Sequence, residues 1–218
     1  MKDIVVFGAG GHAKVIIDII EKQNEYKLVG LIDPYKEKNE EHFGYPILGN
    51  DKDYSILNRV YGGIIAIGDN WVRYKTSLLI ISKNKLFEFM SFIHPFSMIA
   101  RGVKIGKGSI IMPGAIINSD TIIGSHCIIN TNTSIDHDCN IGNYVSLAPK
   151  ATIGGNVKIG DYSAIGLGTN IIQNINIGKH TIIGAGSTVV RHIGSNIVAF
   201  GIPCKKKRAR KIGEKYLK

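Results

Sequence analysis

The sequence predicts an α/β domain followed by a parallel β-helix. Short apolar runs alternate with helical patterns up to residue 93, and an aliphatic residue then recurs at every sixth position. The chain has 218 residues, of which 44% are hydrophobic and 20% charged, so it can bury a core without disulfide bonds and is not a disordered chain. We therefore expect domains at residues 1–93 and 94–200 and a basic tail at residues 201–218.

The first domain is predicted from strand and helix patterns that alternate. Apolar runs at residues 3–7, 28–32 and 62–67 are typical of buried strands. Apolar residues at helical spacing over residues 12–22 and 72–83 predict a helix after the first and the third strand. This order indicates a parallel sheet with helical crossovers, about half of a complete dinucleotide-binding fold, and hence a half-Rossmann-like domain.

The second domain is predicted from a repeat of six residues. Sixteen consecutive hexads begin with an aliphatic residue, from Ile99 to Val189, and a small or β-branched residue follows four positions later in each. Six steps along an α-helix turn about 600°, so this repeat forms no helical face. It predicts a parallel β-helix with three hexads per coil and the aliphatic residues stacked inside. Cys127 and Cys139 fall on inward positions and are interpreted as small buried hydrophobes.

The net charge of +10 is concentrated at the end of the chain. Residues 204–218 hold eight basic residues and one acidic residue, which leaves +3 for the other 203 residues. A solvated tail or a site for small phosphorylated ligands is favoured over nucleic-acid binding. No apolar run reaches the roughly 18 residues of a membrane span, and the start of the chain lacks a signal-peptide core. The three cysteines lack metal-type spacing, so we expect a cytoplasmic protein with reduced thiols and no metal.

A glycine-rich turn stands between the first strand and the first helix. The sequence Gly8-Ala9-Gly10-Gly11-His12-Ala13 would let a phosphate approach the backbone at the helix N-terminus, and Asp33 ends the next strand. A tight turn without a ligand is the alternative interpretation. NAD is the poorer candidate ligand because the second half of a dinucleotide-binding fold is missing.

His137 differs from the other histidines because carboxylates flank it in Asp136-His137-Asp138. A carboxylate that accepts a hydrogen bond from one ring nitrogen leaves the other nitrogen as a base. A solvated surface histidine is the alternative, and we favour it for His126 and His180. One coil of 18 residues further on, Gly155 is expected beside His137, where it leaves bare backbone.

The chain resembles a known family at this point. Its unbroken hexads are similar to those of the hexapeptide-repeat acyltransferases. Together with its shorter motifs it resembles the sugar acyltransferases of the sialic acid O-acetyltransferase and nucleotide amino-sugar N-acetyltransferase group. Those motifs are residues 7–12, 45–51 and 67–70, Ile93-His94-Pro95 and Gly201-Ile202-Pro203. The resemblance implies a left-handed β-helix, acetyl-CoA as co-substrate, a nucleotide-linked or activated sugar as acceptor, and a homotrimer.

The resemblance also implies roles for individual residues. His137 would be the catalytic base, and Asp138, with Asp136 as the alternative, would orient it. Backbone amides near Ala148 and Gly155 are expected to hold the cofactor, and Ser146 stands where many relatives have a second histidine. The cofactor-binding set is Ser146, Ala148, Gly155, Gly166, Ala185 and Pro203. The substrate-binding set is Gly10, Gly11, His12, Asp33, Asp69 and Asn70.

Several functions remain open from the sequence alone. We expect N-acetylation of a nucleotide-linked amino sugar for bacterial surface glycans, with O-acetylation of sialic acid as the first alternative. A non-enzymatic scaffold and a nucleotide-sugar oxidoreductase are the others. A second observation also favours a trimer. Outward positions of the hexads carry apolar residues that would need a partner surface. These are Ile110, Ile116, Ile122, Ile128 and Ala164.

Overall fold

A computed structural model describes residues 1–50 and 55–216 of the chain. Asp51, which ends one of the matching motifs, and residues 217–218 of the predicted tail lie outside the described residues. The predicted fold class is confirmed, since an α/β domain with a mainly parallel sheet precedes three stacks of short parallel strands. None of the helices in the described part of the chain is long and apolar enough to span a membrane.

The α/β domain contains a six-stranded sheet with two helices. Its strands are β1 (Lys2–Phe7), β2 (Tyr26–Ile32), β3 (Glu41–His42), β4 (Tyr45–Gly49), β5 (Gly62–Ile65) and β6 (Glu88–Phe89). Its helices are α1 (Gly11–Gln23) and α2 (Asn70–Lys83), with a short 3-10 helix at Ser55–Asn58. The strand order is β3-β4-β2-β1-β5-β6, and all neighbours are parallel except β3 and β4. The central three strands and both helices match the sequence prediction, whereas the β3–β4 hairpin and β6 were not predicted.

The β-helix is a three-sided prism whose faces are stacks of two-residue strands. The first face comprises β7 (Phe92–Ile93), β10 (Ile110–Ile111), β13 (Ile128–Ile129), β16 (Ser146–Leu147), β19 (Ala164–Ile165), β22 (Ile182–Ile183) and β24 (Ile197–Phe200). The second comprises β8 (Met98–Ile99), β11 (Ile116–Ile117), β14 (Ser134–Ile135), β17 (Thr152–Ile153), β20 (Asn170–Ile171) and β23 (Thr188–Val189). The third comprises β9 (Lys104–Ile105), β12 (Ile122–Ile123), β15 (Asn140–Ile141), β18 (Lys158–Ile159) and β21 (Asn176–Ile177). Because β7 pairs with β10, the first face begins two residues before the predicted boundary at residue 94.

The interior of the prism contains the residues that the hexad pattern places there. Every aliphatic hexad residue from Ile111 to Val189 is buried, and Cys127 and Cys139 are buried among them. Ile99 is 36% exposed because it lies at the open end of the prism, where no coil covers it. Each face is followed by a corner of the same number: residues 148–151 are part of the first corner, 136–139 of the second and 142–145 of the third.

The apolar residues at outward positions of the hexads are only partly exposed, which corrects one argument for a trimer. Ile110 and Ile128 are buried because α1 packs on them, and Ala164 is buried as well. Ile116 and Ile122 are 39% and 44% exposed. The α/β domain therefore covers the first face itself, and only the second and third faces keep an exposed isoleucine from this set.

The third corner carries a column of stacked rings under α2. His126, Tyr144, Tyr162 and His180 follow one another at the coil period of 18 residues, with ring centroids 4.9, 5.4 and 4.6 Å apart. His126 is only 6% exposed. Its interpretation as a solvated histidine is therefore wrong, because α2 and Phe89 cover the corner.

The end of the chain docks back onto the molecule. Strand β25 (Lys205–Ala209) pairs antiparallel with β24. Residues 210–216, which we call the C-terminal strap, then return to the start of α2, where Tyr216 contacts Asp69. The lysines of β25 are exposed as expected for a basic tail, whereas in the strap Arg210 is buried and Gly213, Glu214 and Tyr216 are partly buried.

Candidate active site

The second corner presents His137 as an exposed base. Its ring nitrogen Nδ1 lies 2.7 Å from Oδ2 of Asp138, which leaves Nε2 open. Both side chains are about half exposed, at 53% and 54%. The hydrogen bond to Asp138 and the charge of Asp136 raise the pKa of His137, so the carboxylates make it a stronger base than an isolated histidine.

Gly155 supports the His137 ring from the next coil. A Cβ atom at Gly155 would lie 2.9 Å from both Cε1 and Nε2 of the ring, so no other residue fits here without moving the histidine. Asp136 has a different task, since its Oδ1 accepts hydrogen bonds from the backbone N–H of His137 and from Nδ2 of Asn118. Asp138 is therefore the carboxylate that holds the ring.

A cleft of about 450 Å³ lies between the α/β domain and the first face. Its polar side chains are His12, Asn130, Ser146 and Tyr216, and the rest of the lining is mostly aliphatic. Four of the six predicted cofactor-binding residues, which are Ser146, Ala148, Gly166 and Ala185, line this cleft together with His12. The structure thus brings one predicted substrate residue and most of the predicted cofactor residues into one space.

His12 is a neutral side chain with a free acceptor or donor position in the cleft. Its Nε2 is buried and has no hydrogen-bond partner in the described residues. Burial and the charge of Arg73 lower its pKa to about 4. His12 therefore remains uncharged at neutral pH, and its Nε2 is available to a bound ligand.

Arg73 is a fully buried cation beside the cleft. Its guanidinium donates to the carbonyls of His126, Tyr144, Ile67 and Gly68 and to Oγ of Ser146, so all five N–H groups are used. Its partners lie in both domains, so Arg73 joins α2 to the β-helix. Ser146 accepts from Arg73 and is also hydrogen-bonded to the side chain of Tyr216.

A second cavity, of about 260 Å³, lies at the carboxyl ends of β1, β2 and β5. Asp33, Tyr35 and Gly8 line it, and parallel α/β sheets usually bind ligands at this edge. Asp33 accepts hydrogen bonds from the backbone N–H groups of Ala9 and Tyr35, at 2.7 and 2.9 Å. The glycine-rich turn links the two spaces, because Gly8 lines the second cavity and His12 lines the cleft.

The remaining predicted residues lie elsewhere. Gly10 and Gly11 are exposed, and a Cβ atom at either would meet nothing within 4 Å. Asp69 caps α2 by accepting from the N–H groups of Trp71 and Val72, and Asn70 donates to the carbonyl of Tyr162. Neither lines the second cavity. Pro203 lies exposed in the turn before β25.

Backbone amides near Ala148 are expected to hold the cofactor. The N–H of Ala148 itself already donates to the carbonyl of Ile165 at 2.9 Å. The parallel ladder of the first face continues into this corner and uses the N–H. Ala148 lines the cleft without a free amide.

The predicted active-site residues fall on two different corners of the prism. His137, Asp138 and Gly155 lie on the second corner, whereas Ala148, Gly166 and Ala185 lie on the first. The face between these corners is about 20 Å wide, from six residues at roughly 3.3 Å each. One chain therefore does not bring the free nitrogen of His137 to the cleft.

Sequence reasoning missed three features of the site. The ring column had a visible signal, because aromatic residues recur every 18 positions at one place in the hexad. Arg73 had no such signal in the sequence, because a lone arginine in a predicted helix is expected to be exposed to solvent. Tyr216 stands among basic residues, and no pattern in the tail indicates that it reaches the cleft.

Comparisons with known proteins agree with this architecture. A family model described as the PglD N-terminal domain matches residues 3–77, and one described as the bacterial transferase hexapeptide (six repeats) matches residues 120–155. UDP-N-acetylbacillosamine N-acetyltransferase from Bacillus subtilis is 37% identical over 116 residues, which is 51% of this chain and 52% of that protein. The chain thus matches about half the length of this curated relative.

Solved structures match over nearly the whole chain. A histidine-to-asparagine variant of perosamine N-acetyltransferase from Caulobacter crescentus, in complex with CoA and GDP-perosamine, is 32% identical with a TM-score of 0.88. The match covers 95% of this chain and 98% of that one. The acetyltransferase domain of PglB from Neisseria gonorrhoeae, in complex with acetyl coenzyme A, is 27% identical with a TM-score of 0.84 and covers 94% and 99% of the two chains.

Proposed function

Because the chain belongs to the hexapeptide-repeat sugar acetyltransferases with a PglD-type N-terminal domain, we propose that it acetylates the amino group of a nucleotide-linked amino sugar with acetyl-CoA. The observation that carries the reaction is the pair of His137 and Asp138, with Nε2 of the histidine open above Gly155. The complexes of similar proteins with CoA and GDP-perosamine support the two substrates.

The reaction moves one proton from the amine to the leaving thiolate, and His137 can carry it in two transfers. The amine nitrogen attacks the thioester carbonyl carbon and forms the new N–C bond, while the C–S bond breaks. Nε2 of His137 accepts the proton that the nitrogen loses and returns it to the departing thiolate. Asp138 stabilises the imidazolium that exists between these two transfers.

The two ligands have separate binding regions in this proposal. The second cavity, with Asp33, takes the nucleoside, and the turn from Gly8 to His12 leads the diphosphate toward the cleft. Acetyl-CoA lies along the first corner, where Ala148, Gly166 and Ala185 offer small side chains, with Ser146 next to them on the first face. We place the enzyme in the cytoplasm, which supplies both nucleotide sugars and acetyl-CoA.

A homotrimer completes this site. His137 on the second corner of one copy would face the cleft on the first corner of the next copy, which bridges the distance that one chain leaves open. With closed three-fold symmetry each copy presents His137 to the cleft of the next copy, so all three sites are complete. Pro203 and Lys205 stand at the end of this interface, where the adenine end of the cofactor would lie. Light scattering at micromolar concentration is expected to give about three times 23.8 kDa.

The test of the function is a substrate panel. UDP-, GDP-, dTDP- and CMP-linked amino sugars and free sialic acid are each mixed with acetyl-CoA, and thiol release is measured. We expect release with at least one nucleotide-linked amino sugar and none with sialic acid. Release with sialic acid alone would favour the O-acetyltransferase, and no release with any acceptor would favour a scaffold protein.

A further inference from the structure

The C-terminal strap is held in place by its one acidic residue. Glu214 forms a two-point ion pair with Arg208, at 3.1 and 2.5 Å, and accepts from the backbone N–H of Lys211. These contacts lower the pKa of Glu214 to about 2. Arg210 is buried, and its Nη2 donates to the carbonyl of Glu214 at 2.7 Å. The strap therefore has a defined conformation.

Gly213 brings the strap against α2. It has a φ of +79°, and a Cβ atom there would lie 2.8 Å from Nε1 of Trp71. Only glycine fits this close approach without strain. Trp71 is the only tryptophan of the chain and packs against Tyr74, Tyr162 and His180. Its fluorescence is thus a direct probe of whether the strap is docked.

Tyr216 then reaches the cleft. Its hydroxyl donates to the carbonyl of Gly68 at 3.1 Å, and its backbone N–H donates to Oδ2 of Asp69 at 3.3 Å. Burial raises the pKa of its phenol, so it stays neutral. Among the described residues that line the cleft, Tyr216 supplies the one phenyl ring and the one contribution from the strap.

We infer that Tyr216 determines the affinity for the acceptor sugar, with the strap forming one wall of the acceptor subsite. A fixed aromatic ring offers apolar area to the C–H groups of a sugar ring at little entropic cost. His12 offers an unpartnered Nε2 to a hydroxyl or amine in the same cleft. The inference rests on the proposed function, because it assigns a subsite for that reaction.

The contacts of Tyr216 indicate the acceptor rather than acetyl-CoA. Its hydrogen bonds to Gly68 and Asp69 tie it to the α/β domain that we propose for the nucleotide sugar, and its side chain also contacts Ser146 on the first face. The other residues proposed for acetyl-CoA in this cleft, which are Ala148, Gly166 and Ala185, lie on the first corner of the β-helix. Loss of the ring should therefore separate the two KM values.

The experiment compares four variants by steady-state kinetics with the acceptor identified by the panel. Tyr216→Ala is expected to raise KM for the nucleotide sugar about tenfold, the loss of one aromatic contact, with KM for acetyl-CoA unchanged. Tyr216→Phe keeps the ring and should stay near wild type. Glu214→Ala, which lies outside the cleft, should undock the strap, change Trp71 fluorescence and raise the same KM. Tyr61→Ala removes a tyrosine that is 42% exposed and outside both cavities, and is the matched control.

The outcomes separate this inference from the function. An unchanged sugar KM in Tyr216→Ala, or an equal rise in both KM values, would overturn it while leaving the acetyltransferase intact. If Tyr216→Ala does not fold, Glu214→Ala decides: a displaced strap with a normal sugar KM overturns the inference. A wild-type protein inactive on the whole panel would overturn the proposed function and this subsite with it.

Discussion

Replacement of Arg73 by methionine should strongly destabilise the junction between the two domains. Arg73 donates five buried hydrogen bonds, four of them to backbone carbonyls of His126, Tyr144, Ile67 and Gly68. Methionine fills much of the volume of the side chain but donates nothing, so these carbonyls lose a partner that no rearrangement of the backbone replaces.

The magnitude follows from the cost of unsatisfied groups. Each buried acceptor left without a partner costs about 1–3 kcal/mol, and water from the adjoining cleft can reach some of them. We therefore expect a loss of about 3–5 kcal/mol in the free energy of unfolding. For a chain of this size, that lowers Tm by on the order of 10 °C.

Thermal unfolding followed by circular dichroism measures the effect. The matched control is Lys75→Met, which removes the same charge from an exposed position on the same helix and should leave Tm unchanged. If Arg73→Met lost less than about 1 kcal/mol, the buried guanidinium would not be a structural link between the domains, and this reasoning would be refuted.

Three further predictions concern the site. His137→Ala should leave the fold intact and lower kcat about 10²–10⁴-fold, and a variant that kept more than a third of wild-type kcat would rule out His137 as the base. The raised pKa of His137 predicts that kcat/KM increases with pH through a pKa above 6.5, because only the neutral imidazole accepts a proton. In Asp138→Asn the rise of kcat/KM should occur at lower pH, and a rise at unchanged pH would show that another group titrates. Asp33→Ala should raise KM for the nucleotide sugar but not for acetyl-CoA, since Asp33 lines only the second cavity; a parallel rise in both would contradict separate binding regions.

The repeat made the β-helix predictable almost residue by residue. An aliphatic residue every six positions has one structural solution, so burial from Ile111 to Val189 followed directly. The resemblance to sugar acetyltransferases is likewise confirmed by the family and structure matches. His137 and Asp138 were predictable because neighbours in sequence on a tight corner remain neighbours in space, and the structure brings them within 2.7 Å.

Contacts between distant segments were not predictable in the same way. Asp69 and Asn70 look like ligand groups in the sequence. In the structure Asp69 caps the N-terminus of α2, and Asn70 donates a hydrogen bond to the carbonyl of Tyr162 in the β-helix. Amides near Ala148 were predicted to hold the cofactor, and the sequence did not show that the N–H of Ala148 itself pairs with the neighbouring coil. Tyr216 reaches the cleft only because Gly213 and Glu214 turn the strap back onto α2, and this tertiary path has no local sequence signal.

The central claim is that one active site combines His137 of one copy with the His12 cleft of another. Co-expression of His137→Ala and His12→Ala chains, each carrying a different affinity tag, tests it directly when mixed trimers are purified through both tags. Each variant alone should have lost most of its activity. Each trimer that carries both tags has one site of the three with both histidines intact, so about a third of wild-type activity should return. If mixed trimers are no more active than the single variants, the site lies within one chain and the account is contradicted.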